Sequence, residues 1–343
     1  MKKKYFIITV ILLLSIALLV ILGKQYINTS SKYISYEEYK KDGKILSTYN
    51  NPIVPDGFHK VETEDASWEI ENNIPKGWNN GLVIEDNIGN QFVWVPVNLE
   101  KNNYTVQDVK WQRIYDKNKM DTTNIDDMQI LVYGGFYIAR YEASLPLEII
   151  SRNDYNINTN NVLGKPCSMQ EKPLWNNIDW KYAKQNAQNM YSLPFLQSDL
   201  VSVKEWTAIM YWLREKGYNT KDSKKFGNYA NNSFKTDKLY SWDNGKTYIK
   251  NSYYLIHQVT PTYLLSSGAT EKTKTCNIYD LAGNIAEFSD VHITNIDGNR
   301  ETNYYLLGGH FQDSSTYGAD SMQKINSANH KQGFRVVLKF NIK

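Results

Sequence analysis

Hydrophobic and polar positions divide the chain sharply near its start. An uncharged run from Tyr5 to Gly23, dominated by Ile, Leu and Val, follows Lys2-Lys3-Lys4. As a helix rising about 1.5 Å per residue, this run nearly spans a hydrocarbon core of ~30 Å. It is longer than the apolar region of a cleavable signal, and Leu22-Gly23-Lys24-Gln25-Tyr26 offers no A-x-A site. The pattern predicts a basic cytoplasmic stub at 1–4 and a single-pass transmembrane anchor at 5–23, with the lipid bilayer as partner. Everything after it is then extracytoplasmic; a long cleaved signal is the alternative. Residues 24–52 are polar, lack periodicity and read as a stalk. A single extracytoplasmic domain is expected over 53–343.

Within that domain, Gly81–Val97 predicts a hairpin. Two runs rich in β-branched and aromatic residues flank the turn Asp86-Asn87-Ile88-Gly89-Asn90. Gly135–Glu142 alternates in character and predicts a strand. Asn98–Met128, polar and mixed, predicts a long surface loop. Asp179 caps an expected helix through Trp180, Ala183, Ala187, Met190 and Tyr191, at spacings of three and four. Ser202 with Glu205 three residues on forms a capping box for a second helix. Its stripe is Val203, Trp206, Ile209, Met210 and Leu213, and Gly217 stops it. A ligand box is conceivable there, but such a stripe is ordinarily the core-facing side of a helix. Gly217–Thr275 has little periodicity and is expected to be irregular.

Composition narrows the function classes. Aromatic residues make up 13% of the chain, which excludes a disordered polymer. Setting aside Lys2, Lys3, Lys4 and Lys24 from the 39 basic residues leaves 35 against 36 acidic ones. A near-neutral body without a basic run gives no footprint for nucleic acid. Cys167 and Cys276 either form one bridge or stand as two buried thiols. Neither reading supplies a C-x-x-C or His/Cys zinc pattern.

Three late segments are distinctive: Asn277-Ile278-Tyr279-Asp280-Leu281-Ala282-Gly283-Asn284-Ile285-Ala286-Glu287-Phe288, Leu307-Gly308-Gly309-His310-Phe311 and Gly333-Phe334-Arg335-Val336-Val337-Leu338. In order they resemble the Y-D-M/L-A-G-N-V-W-E-W, R-G-G-S-W/Y and G-F-R-V-V series of the formylglycine-generating enzyme (sulfatase-modifying factor) family. Earlier segments resemble the same family: Gly135–Glu142, Lys172–Trp180 with Ala183, and Leu200–Trp206. Together they cover about Gly81 to Leu338. The resemblance implies an α+β, C-type-lectin-like fold with much irregular structure, as in a bacterial surface or phage-type member.

It also implies what chemistry is absent. The family's oxidase carries two cysteines, five residues apart, just after the Gly-Gly pair. Counting from Gly308-Gly309, those places hold Asp313 and Gly318. Copper(I) binding and exchange with a substrate thiol both need thiolates, so the resemblance implies a member without the oxidase reaction. The iron-dependent branch needs an H-x-x-x-H-x-E spacing that His257, His292 and His310 do not have. Asn284 and Glu287 match positions where many members hold a structural calcium, the one cofactor the resemblance suggests, none being required. The alternative is a turn at Gly283-Asn284 with Glu287 in a buried hydrogen-bond network. Arg335 either binds an anion or ties the last strand to Asp280 or Glu287.

The expected function is a membrane-anchored, lectin-like binding module for a glycan or a surface protein. Its surface would lie between about Ser289 and Gln332, with His292, Arg300, His310, Phe311, Gln312, Asp313 and Tyr317 as contacts. For His310 the alternative is a lone surface histidine. An enzyme with an unrecognised metal or redox centre and a structural scaffold of an envelope complex are the competing readings.

Overall fold

The computed structural model describes residues 52–340, apart from 73, 98–119, 122, 152–160, 233, 237–238, 244–246, 252–253, 257–263, 295–301 and 326–330. The expected anchor at 5–23, nearly all of the stalk, and Arg300 lie outside the described residues. Among the described residues no helix is long and apolar enough to cross a membrane. The protein is a β-rich α+β structure with few helices.

Its centre is a six-stranded antiparallel sheet. In chain order the strands are β1 (Phe58–Val61), β2 (Val83–Asp86), β3 (Gln91–Pro96), β4 (Gly135–Ala139), β5 (Leu196–Leu200) and β10 (Val336–Phe340), and their spatial order is β1-β2-β3-β4-β10-β5. A second sheet contains β6 (Ala286–Thr294), β7 (Thr302–Leu307), β8 (Met322–Ile325) and β9 (Gln332–Phe334), ordered β8-β7-β6-β9. Strands β6 and β9 run parallel, bringing Glu287 opposite Gly333.

Successive side chains of a strand point to opposite faces, and here both faces of the central sheet are covered. Phe92, Trp94, Tyr137, Val336 and Leu338 enter one core, while Val93, Val95, Phe136, Ile138 and Val337 enter the other. This is why β3 and β4 are apolar almost throughout instead of alternating. All five residues of β4 are buried.

The helices cover these cores, the short α2 (Leu147–Ser151) packing Ile149 and Ile150 against the first. Helix α3 (Trp180–Met190) buries Ala183, Ala187 and Met190 in the first core. Helix α4 (Val203–Glu215) buries Trp206, Ile209, Met210 and Leu213 in the second. Each fully buried Ile, Met or Leu among them contributes about 1.5–3 kcal/mol before entropy is counted. The expected capping box is present: Ser202 Oγ accepts from Glu205 N at 3.1 Å and Ser202 N donates to Glu205 Oε2 at 2.8 Å. At the other end Gly217, at φ +84°, closes a Schellman turn. Its N–H donates to Arg214 O, and Tyr218 N donates to Leu213 O.

Four expectations need correction. Residues 125–128 are not loop but open helix α1 (Ile125–Tyr133), whose N-cap Asn124 accepts from Asp126 N and Asp127 N. The Asn cap and acidic first turn were diluted by the polar stretch before them. Asp179 occupies the N-cap of α3, but its side chain makes no capping bond. Tyr191 is not on the helical stripe: it is the extended C-cap, with its hydroxyl donating to Asp86 Oδ2 at 2.5 Å. The irregular segment contains short paired strands, Phe234–Thr236 with Tyr254–Ile256 and Leu239–Asp243 with Thr247–Asn251.

Candidate functional site

The distinctive Asn277–Phe288 segment is a buried scaffold. Cys276, Asn277, Asp280, Gly283 and Asn284 all have φ between +47° and +71°, the left-handed region where Asn, Asp and Gly are least penalised. Gly283 is required there, because a Cβ would lie 2.2 Å from Asn228 O. The tight turns direct polar side chains inward. Asn277 Nδ2 donates to Gly81 O at 2.9 Å, tying the segment to the β2/β3 hairpin. Asn284 Nδ2 donates to Glu142 Oε2 at 2.7 Å, and its Oδ1 accepts from Asn228 Nδ2 and Leu265 N, both at 3.0 Å.

Arg335 completes the scaffold as a structural arginine. It is fully buried, with Nη2 and Nε at 2.6 and 2.8 Å from Glu287 Oε1. Its remaining donors reach Ala139 O at 3.1 Å and Tyr279 O at 2.9 Å. One arginine thus faces the buried carboxyls of Glu142, Asp280 and Glu287. Burial, and then the neighbouring Asp280, push Glu142 well above the usual carboxylate range. Protonation of Glu142 lowers the uncompensated negative charge of the cluster.

Calcium does not fit at Asn284 and Glu287. A calcium ion takes six to eight oxygens. Asn284 Oδ1 already accepts twice and Glu287 Oε1 holds Arg335, so of these side-chain oxygens only Glu287 Oε2 lacks a partner. Among the described residues no group of three or more His, Cys, Asp or Glu side chains is arranged to hold a metal ion. Both residues serve a hydrogen-bond network, because the turn aims Asn284 at Glu142 and the parallel β6/β9 pairing brings Glu287 to Arg335.

The loop after β7 stands on this scaffold. Phe311 is 5% exposed and packs with Leu174, Leu264 and Ile285, while its N–H donates to Asn284 O at 3.0 Å. Phe311 therefore anchors the loop, a correction to its expected place in the ligand surface. Asp313 braces the same loop: Oδ2 accepts from His310 N at 2.9 Å, and Oδ1 lies 3.4 Å from His310 Nε2. His310 is not a lone surface side chain. Its Nδ1 accepts from Gln312 N at 3.2 Å, and its ring is half-buried. The Tyr229 hydroxyl lies 3.1 Å from Gly308 O and 2.9 Å from Tyr317 O, and Ser315 N donates to Asn231 Oδ1 at 2.8 Å. Over this base Gln312, Thr316 and Tyr317 are exposed, Tyr317 to 51%. His292 lies in β6 opposite Tyr304 of β7.

Asp313 and Gly318, where the resemblance would place cysteines, are structurally committed. Asp313 is the brace just described. At Gly318 a Cβ would meet Thr220 O at 2.3 Å and Lys221 O at 2.8 Å, so no side chain fits. Elsewhere, Cys167 and Cys276 are free thiols and do not bridge. Burial pushes Cys167 up to about 11 and Cys276 up to about 12. Both are protonated and weakly nucleophilic at neutral pH.

Glu142, Asn228, Tyr229 and Asn231 support the loop without having been singled out as site residues. Glu142 was visible only as the end of a predicted strand. The other three fall in a segment without periodicity, where no sequence signal marks them.

No protein-family model matches the chain, and no curated protein does. Among solved structures, the crystal structure of CarF is similar at 15% identity and a TM-score of 0.37, covering 61% of this chain and 87% of that one. Treponema denticola variable protein 1 is similar at 14% identity and a TM-score of 0.39, covering 73% of this chain and 95% of that one. Likenesses this distant say nothing of what the chain binds or catalyses.

Proposed function

We propose that the chain is a membrane-anchored, extracytoplasmic ligand-binding module with a C-type-lectin-like, sulfatase-modifying-factor type of fold and no oxidase activity. Residues 5–23 anchor it in the bilayer, 24–52 lift it from the surface, and 53–343 form the module. The observation that carries this reading is the loop after Gly308-Gly309. Its inner side is fixed by Phe311, Asp313 and Ser315, and its outer side presents Gln312, Thr316 and Tyr317. A braced base under exposed amide, hydroxyl and phenol groups suits recognition of a glycan or a protein surface, because little loop entropy is lost on binding. The same commitments leave no thiol at either cysteine place, which supports binding over oxidation.

The test is to apply the full-length protein to an array of glycans and surface proteins and to repeat it with Tyr317→Ala. A specific ligand is expected, with about tenfold weaker binding in the variant at unchanged circular dichroism. Absence of any ligand, or a ligand indifferent to Tyr317, would sink the proposal. Stoichiometric copper or iron in the purified protein would favour an enzyme instead.

A further inference from the structure

A cleft of about 590 Å³ opens beside the loop, between the end of α4, the Asp222–Phe226 turn and the single helical turn Glu271–Thr273. Its volume lies within the range of pockets that hold a small ligand or a short oligomer. Five lysines line it: Lys216, Lys224, Lys225, Lys272 and Lys274. Lys274 is neutralised by Asp65 at 2.8 Å and Glu271 at 2.7 Å. Among the described residues none of the other four forms an ion pair, and all four are exposed.

One carboxylate faces the same concavity and offsets one of these charges. Asp222, the one carboxylate in the lining, accepts from Ser315 Oγ at 2.6 Å and from Lys224 N at 3.3 Å. At the end of α4 the carbonyls of Trp212, Leu213 and Arg214 are taken by Lys216 N, Gly217 N and Tyr218 N. Five lysines against Asp65, Asp222 and Glu271 leave the concavity net positive, and its unpaired ammonium groups repel one another unless an anion enters. In a body whose overall charge is near neutral, this concentration is local.

We propose that the cleft binds an acidic polysaccharide, its sulfate or carboxylate groups held by Lys216, Lys224, Lys225 and Lys272 and a sugar face resting on Tyr218. Lysine ammonium groups are compact, mobile point charges that suit anions spaced irregularly along a flexible chain. No arginine fork for bidentate phosphate recognition lines the cleft. Tyr218 is half-buried and packs edge-on against Phe226, with ring centroids 5.4 Å apart at 78°. As a lining residue it supplies a single aromatic ring, where a platform for single-stranded nucleic acid stacks successive bases on several rings. Through Asp222 and Ser315 the cleft is continuous with the loop that carries Tyr317. The inference rests on the binding-module reading and names the ligand class for that surface.

The probe is dextran sulfate, with neutral dextran as control, titrated against the full-length protein. Binding to dextran sulfate alone is expected, falling steeply as salt rises. The double variant K224E/K225E should weaken it about thirtyfold, counting two attractions lost and two repulsions gained. K60E/K181E, the same charge change at exposed lysines away from the cleft, should change it less than threefold, about the scale of unrelated surface charges. Equal loss in both variants, or none in either, overturns the proposal. So does tighter binding of single-stranded DNA or of anionic phospholipid vesicles than of dextran sulfate. If an array ligand is lost in Tyr317→Ala but kept in K224E/K225E, the module stands and the cleft inference fails. If no array ligand exists at all, the module reading fails first.

Discussion

Gly318 offers the sharpest test of the physical reasoning, because its sign is not the usual one. Where a helix or loop has room, Gly→Ala stabilises by about 0.4–1 kcal/mol by restricting the unfolded chain. Gly318 has no positive φ, so backbone strain does not enter and steric contact decides. A Cβ there would lie 2.3 Å from Thr220 O, 2.8 Å from Lys221 O and 2.9 Å from Lys221 C. Cβ atoms essentially never approach closer than 3.0 Å, so Thr220 O must retreat by roughly 0.7 Å. All three obstacles are backbone, and no rotamer relieves them.

The retreating carbonyl accepts from Asp320 N and Ser223 Oγ, both at 3.2 Å. Weakening these bonds costs about 1 kcal/mol each, and overpacking adds about 1–3 kcal/mol. Gly318→Ala is therefore expected to destabilise by about 3–5 kcal/mol. Urea denaturation of the full-length protein, followed by tryptophan fluorescence, reads this as a lower midpoint at unchanged slope. A neutral or stabilised variant would refute the close packing at residue 318. It would also remove the structural reason why that place cannot hold a thiol.

Two further outcomes follow from the buried charges. Arg335→Met leaves Glu287 buried without its partner and should cost about 3–5 kcal/mol; denaturation midpoints measure it, and a loss under 1 kcal/mol would contradict the role assigned to the ion pair. Asp290 is pushed up to about 6, chiefly by burial, with Lys339 and Lys184 pulling the other way. Its folded form holds the proton more tightly than the unfolded chain does. The stability it contributes is complete below about pH 4 and is lost as the pH rises through about 6. Against the wild type, Asp290→Asn should thus gain on the order of 2 kcal/mol between pH 4 and pH 7. Parallel stability–pH curves for the two proteins would exclude the effect.

Some local signals in the chain suffice by themselves, because the interaction lies between near neighbours. Ser202 and Glu205 are three residues apart, and the cap they predict is present. The turn from Asp86 to Asn90 forms because Asp86 Oδ1 accepts from Ile88 N and Asn90 N within the same few residues. Locality is not always enough: the Asn124 cap of helix α1 is equally local, but it ends a polar stretch that conceals it. Arg335 is an intermediate case. Its pairing with Glu287 was one of two readings, and the choice needed the parallel contact of β6 with β9.

Sequence alone determined the elements whose causes lie within a turn or two of chain: the hairpin, the second helix and its cap, the strand at Gly135, and the cysteine-free loop after Gly308-Gly309. Tertiary structure decided which residues face one another. It turned Phe311 and Asp313 from ligand contacts into braces, withdrew Asn284 and Glu287 from a metal site, and left Tyr317 outermost. It also brought Lys272 beside Lys216 and Lys224, from a separate part of the chain, to make one cationic cleft. Capping and turn formation depend on bonds between near neighbours, which the order of residues encodes directly. A cleft or a buried network depends on distance in space, and that is set only when the sheets close over their two cores.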